Sequence, residues 1–180
     1  MTTARVPVWD RFVRLFHWSL VAAFAVTYIT GDAWRSYHVA AGYAALILII
    51  ARLLWGRNGS RHARFSQFVI SPAAILDYLR DVTRGREARY LGHNPAGGAM
   101  ILMMLILLMA VCGSGVLMTT DAFWGSENMD HIHGALADIT LLCIVVHVAG
   151  VIFTSIRTKE NLVWSMMTGR KRAPDEGDVG

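Results

Sequence analysis

Seven histidines occur in the 180-residue chain, and four of them, His17, His38, His133 and His147, stand within or at the ends of long apolar runs. An ionisable side chain in such a run costs free energy unless it is partnered, so four together point to a ligand that imidazole can hold. His147 follows His133 by 14 residues. At about 1.5 Å and about 100° per residue, the two lie roughly 21 Å apart along one helix and within about 40° of one face. His131 falls about 160° away from His147, and His133 is preferred to it for that reason.

The elements that must position these side chains are legible in the charge pattern. Residues 15–31, 36–51, 90–120 and, Asp138 apart, 131–156 carry no Asp, Glu, Lys or Arg. Each stretch holds the roughly 17–25 mainly apolar residues that a helix needs to cross about 30 Å of hydrocarbon. Hydrophobic residues make up 54% of the chain and charged residues 17%, against roughly 45–50% and 25% in soluble domains. The sequence therefore predicts an all-α integral membrane protein, a four-transmembrane-helix up-down bundle. The formal charge of +4 could suggest nucleic acid, but the basic residues lie between the apolar runs, so no nucleic-acid partner is expected. The first run follows a basic segment, as in a signal peptide. Residues 26–31 offer no small-x-small cleavage site, so the run is expected to remain as the first helix. Cys112 and Cys143 lie inside apolar runs and read as small hydrophobes.

Lys and Arg near helix ends stay on the cytoplasmic side of a membrane. Of the 17 basic residues, 16 fall on one side of a four-helix up-down topology and only Arg35 on the other. Both termini are expected to be cytoplasmic. The outer face then carries Asp32, Asp121, Glu127 and Asp130 against Arg35, and the +4 resolves into +8 inside, −3 outside and −1 for Asp138. Trp9, Trp18, Trp55 and Trp164 near inner helix ends, with Trp34 and Trp124 near outer ones, read as interfacial anchors. In the long inner loop Ser71-Pro72 is an N-cap followed by proline. Ile75, Leu76, Leu79 and Val82 recur at helical spacing after it, which predicts a short interfacial helix in the cytoplasmic loop. Residues 173–180 are acidic and rich in small residues, and read as a disordered tail.

Placed by depth in that topology, His17 pairs with His147 toward the cytoplasm and His38 with His133 toward the outside. Two neutral imidazoles at one depth on different helices can hold an iron porphyrin through both axial positions, so two pairs can hold two haems. Gly42, four residues after His38, and Gly150, three after His147, would let a flat macrocycle approach; ordinary small-residue helix packing explains them equally well. Arg14, three before His17, and Arg52, 14 after His38, could meet inner propionates, or serve only the charge asymmetry. Asp138 could relay a proton or bond to a neighbouring helix. His62 and His93 read as loop histidines at the surface, with His93 the closer to an inner quinone or propionate. The methionines of the third run read as packing rather than as haem ligands.

At these residues the chain resembles the bacterial cytochrome b561 family, and within it the branch related to the b-type subunits of nickel-iron hydrogenases. The likeness rests on Val8-Trp9-Asp10 through Phe16-His17-Trp18, on His38-Val39-Ala40-Ala41-Gly42 with Arg52 and Trp55-Gly56, and on Arg89-Tyr90-Leu91-Gly92-His93-Asn94-Pro95. It continues through His133-Gly134-Ala135-Leu136-Ala137 and His147-Val148-Ala149-Gly150 to Glu160-Asn161-Leu162. The resemblance implies a multi-pass protein of the bacterial inner membrane, with two haem b on the four histidines named and residues 1–172 as one di-haem domain. It further implies electron exchange between membrane quinone, ubiquinone or menaquinone, and a redox partner.

The leading expectation is transmembrane electron transfer to or from an external protein such as a cytochrome c, steered by the acidic outer face. A hydrogenase is a further candidate that the residues alone do not establish. The enzyme alternative is superoxide oxidation with quinone as acceptor, which an acidic outer face disfavours because superoxide is an anion. A haem-free proton or metal-ion transporter is the third reading, and it predicts a colourless protein.

Overall fold

The computed structural model describes residues 4–31 and 33–180. Its long elements are four helices, α1 (Arg11–Thr30), α2 (Arg35–Asn58), α4 (Pro95–Leu117) and α5 (Glu127–Thr158), each long and apolar enough to cross a membrane. Each takes up most or all of one charge-free run. At about 1.5 Å per residue the 32 residues of α5 outlast a hydrocarbon core, and the extra turn at its start carries Glu127 and Asp130. These acids suit the positive end of the helix dipole. Large apolar side chains such as Leu15, Ile29, Ile47, Ile106, Leu142 and Ile156 are exposed along all four helices. In water such a surface would be unstable; against lipid it is the expected exterior.

Between α2 and α4 run two single turns of 3₁₀ helix, Arg61–Ala63 and Phe65–Gln67, and then α3 (Pro72–Arg84). The expected cap is present: Ser71 accepts a hydrogen bond from the Ala74 N–H, Pro72 opens the helix, and Gly85 closes it in the left-handed conformation at φ 67°. Two further elements were not legible in the sequence. Strand β1 (Arg5–Pro7) pairs antiparallel with β2 (Arg170–Arg172), matching Val6 to Lys171. Helix α6 (Leu162–Thr168) is capped by the Asn161 side chain, which accepts from the Trp164 N–H.

The chain divides into two compact units. One comprises Met1–Arg14, Leu54–Leu102 and His147–Gly180. Its buried residues include Val8, Trp9, Val13, Ala63 and Phe68, together with the polar Arg89, Ser165 and Lys171. The other comprises Leu15–Leu53 and Met103–Val146, with Ala45, Ile49, Leu105, Leu108 and Cys143 buried beside Arg52, Ser114 and Thr140.

Three expectations change in the first unit. Trp9 and Trp55 are not lipid anchors. Trp9 is buried with its ring 4.6 Å from that of His93, and the Trp55 indole N–H donates to Asp10 at 3.0 Å while its ring packs on Phe12. His93 is correspondingly half-buried rather than a free surface residue, with the tilted Phe68 ring 4.7 Å away as its other contact. The tail is held rather than disordered. The Val179 N–H donates to the Arg89 carbonyl, the Leu91 N–H donates to the Val179 carbonyl, and the Asp178 carboxylate pairs with the buried Arg89 guanidinium. Its acidic composition suggested solvation, but a basic partner far away in sequence neutralises it. Asp32, counted among the outer acids, lies outside the described residues.

Candidate functional site

In the second unit, α2 presents His38 from its first turn and α5 presents His133 from its second. The two imidazoles lie edge to face, with ring centres 6.0 Å apart and planes inclined at 69°. His38 Nδ1 lies 2.9 Å from the Thr27 carbonyl, in the last turn of α1. A carbonyl can only accept, so this nitrogen carries the proton. The same carbonyl receives the Gly31 N–H at 3.2 Å on its second lone pair.

His133 Nδ1 lies 2.9 Å from Ser114 Oγ on α4. The Ser114 hydroxyl donates its own proton to the Val111 carbonyl at 2.9 Å, so toward the histidine it accepts. Both rings thus carry a proton on Nδ1, which leaves Nε2 as the nitrogen that could bind a metal. Gly115, next along α4, admits the ring closely: a Cβ there would stand 3.2 Å from His133 Cε1.

This geometry can be tested against the cofactor that the sequence suggests. A metal–imidazole bond of about 2 Å on either side, with each ring centre about 1 Å further on, separates two axial imidazoles by about 6 Å. The observed 6.0 Å matches. Among the described residues no group of three or more His, Cys, Asp or Glu side chains could hold a metal ion by itself. Two imidazoles do not complete a zinc site, whereas porphyrin iron requires only two axial ligands. Beyond its own helix backbone, a Cβ added at Gly42 would meet nothing within 4 Å, so the α2 surface one turn after His38 has room beside it. His131 is exposed and has no part in this arrangement.

The model of the prokaryotic cytochrome b561 family matches residues 8–169. The chain belongs to that family. Its all-α membrane bundle, its haem b and its transmembrane electron transfer therefore apply here. The chain is also 25% identical to a probable Ni/Fe-hydrogenase B-type cytochrome subunit of Cupriavidus necator, over 93% of its own length and 87% of the relative's. A protein of the same description from Rhodobacter capsulatus is 20% identical over 95% of this chain and 83% of its own.

The remaining expected site residues of this b561 member are placed as follows. His17 lies on α1 in the second unit, its ring edge-on to Trp18 at 4.9 Å, and His147 lies on α5 in the first. Arg14 donates to the Met167 carbonyl at 2.7 Å and to the Asp10 carbonyl at 3.4 Å, so it serves the C-terminal end of α6. Arg52 is 3% exposed. A Cβ added at Gly150 would meet nothing within 4 Å. Asp138 is exposed.

Two participants escaped the sequence reading. Ser114 had a signal, being a hydroxyl inside an apolar span and flanked by Gly113 and Gly115. The Thr27 carbonyl had none, because only the point at which α1 ends makes it available.

The family motifs have structural work in the first unit. Asp10 caps α1 by accepting from the Val13 N–H at 2.8 Å, and its other oxygen takes the Trp55 indole and the Ser60 hydroxyl. Burial raises the affinity of this carboxyl for its proton, but the bonds from Ser60, Val13 and Trp55 outweigh it and hold the pKa below the usual value. Arg89 pairs with Glu160 at 3.0 Å and with Asp178, and donates to the Arg172 carbonyl at 2.9 Å. Beside it Lys171 is 5% exposed, with Nζ near the Tyr90 carbonyl and the Trp9 ring. Burial brings its pKa down to about 8, Glu160 opposing the shift and Arg89 adding to it. A cavity of about 470 Å³ lies under α3, lined by His62, Phe68, Tyr78, Arg86, Tyr90 and His93 among others. Burial, with Arg61 and Lys171 nearby, lowers the pKa of His62 and favours its neutral form.

Proposed function

We propose that this b561 protein carries electrons across the bacterial inner membrane through two bis-histidine haem b groups, exchanging them between membrane quinone and an external redox protein. The observation that carries this reading is the His38–His133 pair, at the separation of two axial ligands and with both Nδ1 atoms already bonded. Bound iron supplies one-electron chemistry between its ferric and ferrous forms. The chain supplies ligands of fixed tautomer, burial and orientation. His17 and His147 are proposed as the second pair, from their matched depths in the up-down topology, and the buried Arg52 as the partner of an inner propionate. Arg14 is better explained by its bond to Met167.

Both termini are proposed to be cytoplasmic, from the basic residues that flank the spans. A quinone head group suits the cavity under α3, where aromatic walls meet imidazole and phenol groups able to bond to carbonyl oxygens. On the opposite side, exposed Asp121, Glu127 and Asp130 favour a partner with a basic rim, such as a cytochrome c. The Cupriavidus necator and Rhodobacter capsulatus relatives, both named as hydrogenase cytochrome subunits, favour a hydrogenase as the second candidate for that partner.

The test is a visible spectrum of the purified protein with haem quantified. Two b haems per chain, reducible by a quinol, are expected. A folded, colourless preparation contradicts the proposal.

A further inference from the structure

We propose that Ser114 is a positioning residue that sets the ring orientation and donor strength of His133, and through them the reduction potential of the haem held by His38 and His133. The inference rests on the ligand pair proposed above. It goes beyond that pair because Ser114 touches neither iron nor substrate.

A serine inside a membrane helix has an ordinary explanation. Its hydroxyl bonds back to a carbonyl one turn earlier, and its small size lets helices approach. The bond to Val111 is of that kind. It does not explain why the same oxygen lies 2.9 Å from His133 Nδ1 on another helix. The two bonds form a directed chain, from imidazole N–H to hydroxyl to carbonyl, in which each strengthens the next. Ser114 is 6% exposed, so water does not compete with the chain.

The two axial ligands are held differently. His38 donates to a backbone carbonyl, which no side-chain substitution removes, whereas His133 donates to a hydroxyl that a single substitution deletes. A ring whose Nδ1–H is well accepted is the stronger electron donor at Nε2, and a stronger donor stabilises ferric over ferrous iron. Ser114 therefore lowers the potential of this haem relative to the same site without it.

The experiment is a redox titration of the haem-loaded Ser114→Ala and Ser114→Thr proteins, read by visible and paramagnetic resonance spectra. Alanine is expected to raise one of two potentials while the other stays. The ferrous-to-ferric ratio of the affected haem at fixed poise should rise about tenfold, or about 59 mV for one electron. Threonine restores the hydroxyl and should restore the wild-type potential and resonance. Selective loss of one haem in the alanine protein, recovered by threonine, supports the same role. Two haems with unchanged potentials and resonances in the alanine protein overturn it, as does an equal shift of both. Failure of the underlying ligand pair is a separate result, namely retention of both haems by His133→Ala.

Discussion

Asp10 and Trp55 are joined by a hydrogen bond of 3.0 Å from the indole N–H to the carboxylate, which ties the start of α1 to the last turns of α2. The same carboxylate caps α1 through Val13 and receives the Ser60 hydroxyl. One acidic side chain therefore organises three segments of the first unit.

Asp10→Ala is expected to lower stability by about 2 kcal/mol, the sum of a lost N-cap and of donors left without their acceptor. The effect should depend on pH in a defined sense. The folded pKa of Asp10 is depressed, so its contribution is fully present above the ordinary carboxylate value of 3.8 and is lost as pH falls through the lower folded value. Thermal unfolding in detergent from neutral pH down to pH 3 checks this: the gap between wild type and variant should stay constant near neutrality and narrow once the pH falls below 3.8.

Lys171 gives a slope of the same sign at the alkaline end of the range. Its folded pKa is about 8 against 10.5 ordinarily, so between those values the unfolded chain binds more protons than the folded one and stability rises with pH. The rise is about 3 kcal/mol in total, at about 1.4 kcal/mol per pK unit. Lys171→Met should remove this upward slope from a series of melts between pH 7.5 and 10.5; a variant that keeps the wild-type slope would assign it to another group.

The Arg89 cluster is buried on both sides, at 7% exposure for Arg89, 11% for Glu160 and 10% for Asp178. Arg89→Ala strands two carboxylates and should cost about 3–5 kcal/mol. Asp178→Ala leaves Glu160 to neutralise the arginine and should cost less. It should also release residues 173–180, so limited proteolysis ought to cut the tail of Asp178→Ala while sparing that of the wild type.

How much of this was legible in the sequence follows from the range of each interaction. The four spans were legible because the absence of charge over a long run is a local property. The closeness of the His38 and His133 rings was legible because helical rise converts sequence position into depth. The Ser71 cap of α3 was legible for the same local reason. Ser114 was not, since it depends on the rotation of α4 against α5, and its hydroxyl had an ordinary explanation within its own helix. Trp9 and Trp55 were misread as lipid anchors because they stand near helix ends, and His93 as a surface group because it stands in the inner loop. Only the folded loop shows the ring of one against the ring of another. The tail was misread because composition reports net charge and says nothing of an arginine more than 80 residues away that neutralises it.

The central claim, that His38 and His133 share one haem, is tested most directly by haem per chain in His38→Ala, His133→Ala and the double variant. Each single variant should fall from two haems to one, and the double variant should also hold one, because both substitutions empty the same site. A double variant with no haem, or a His133→Ala protein that keeps both, would contradict the account.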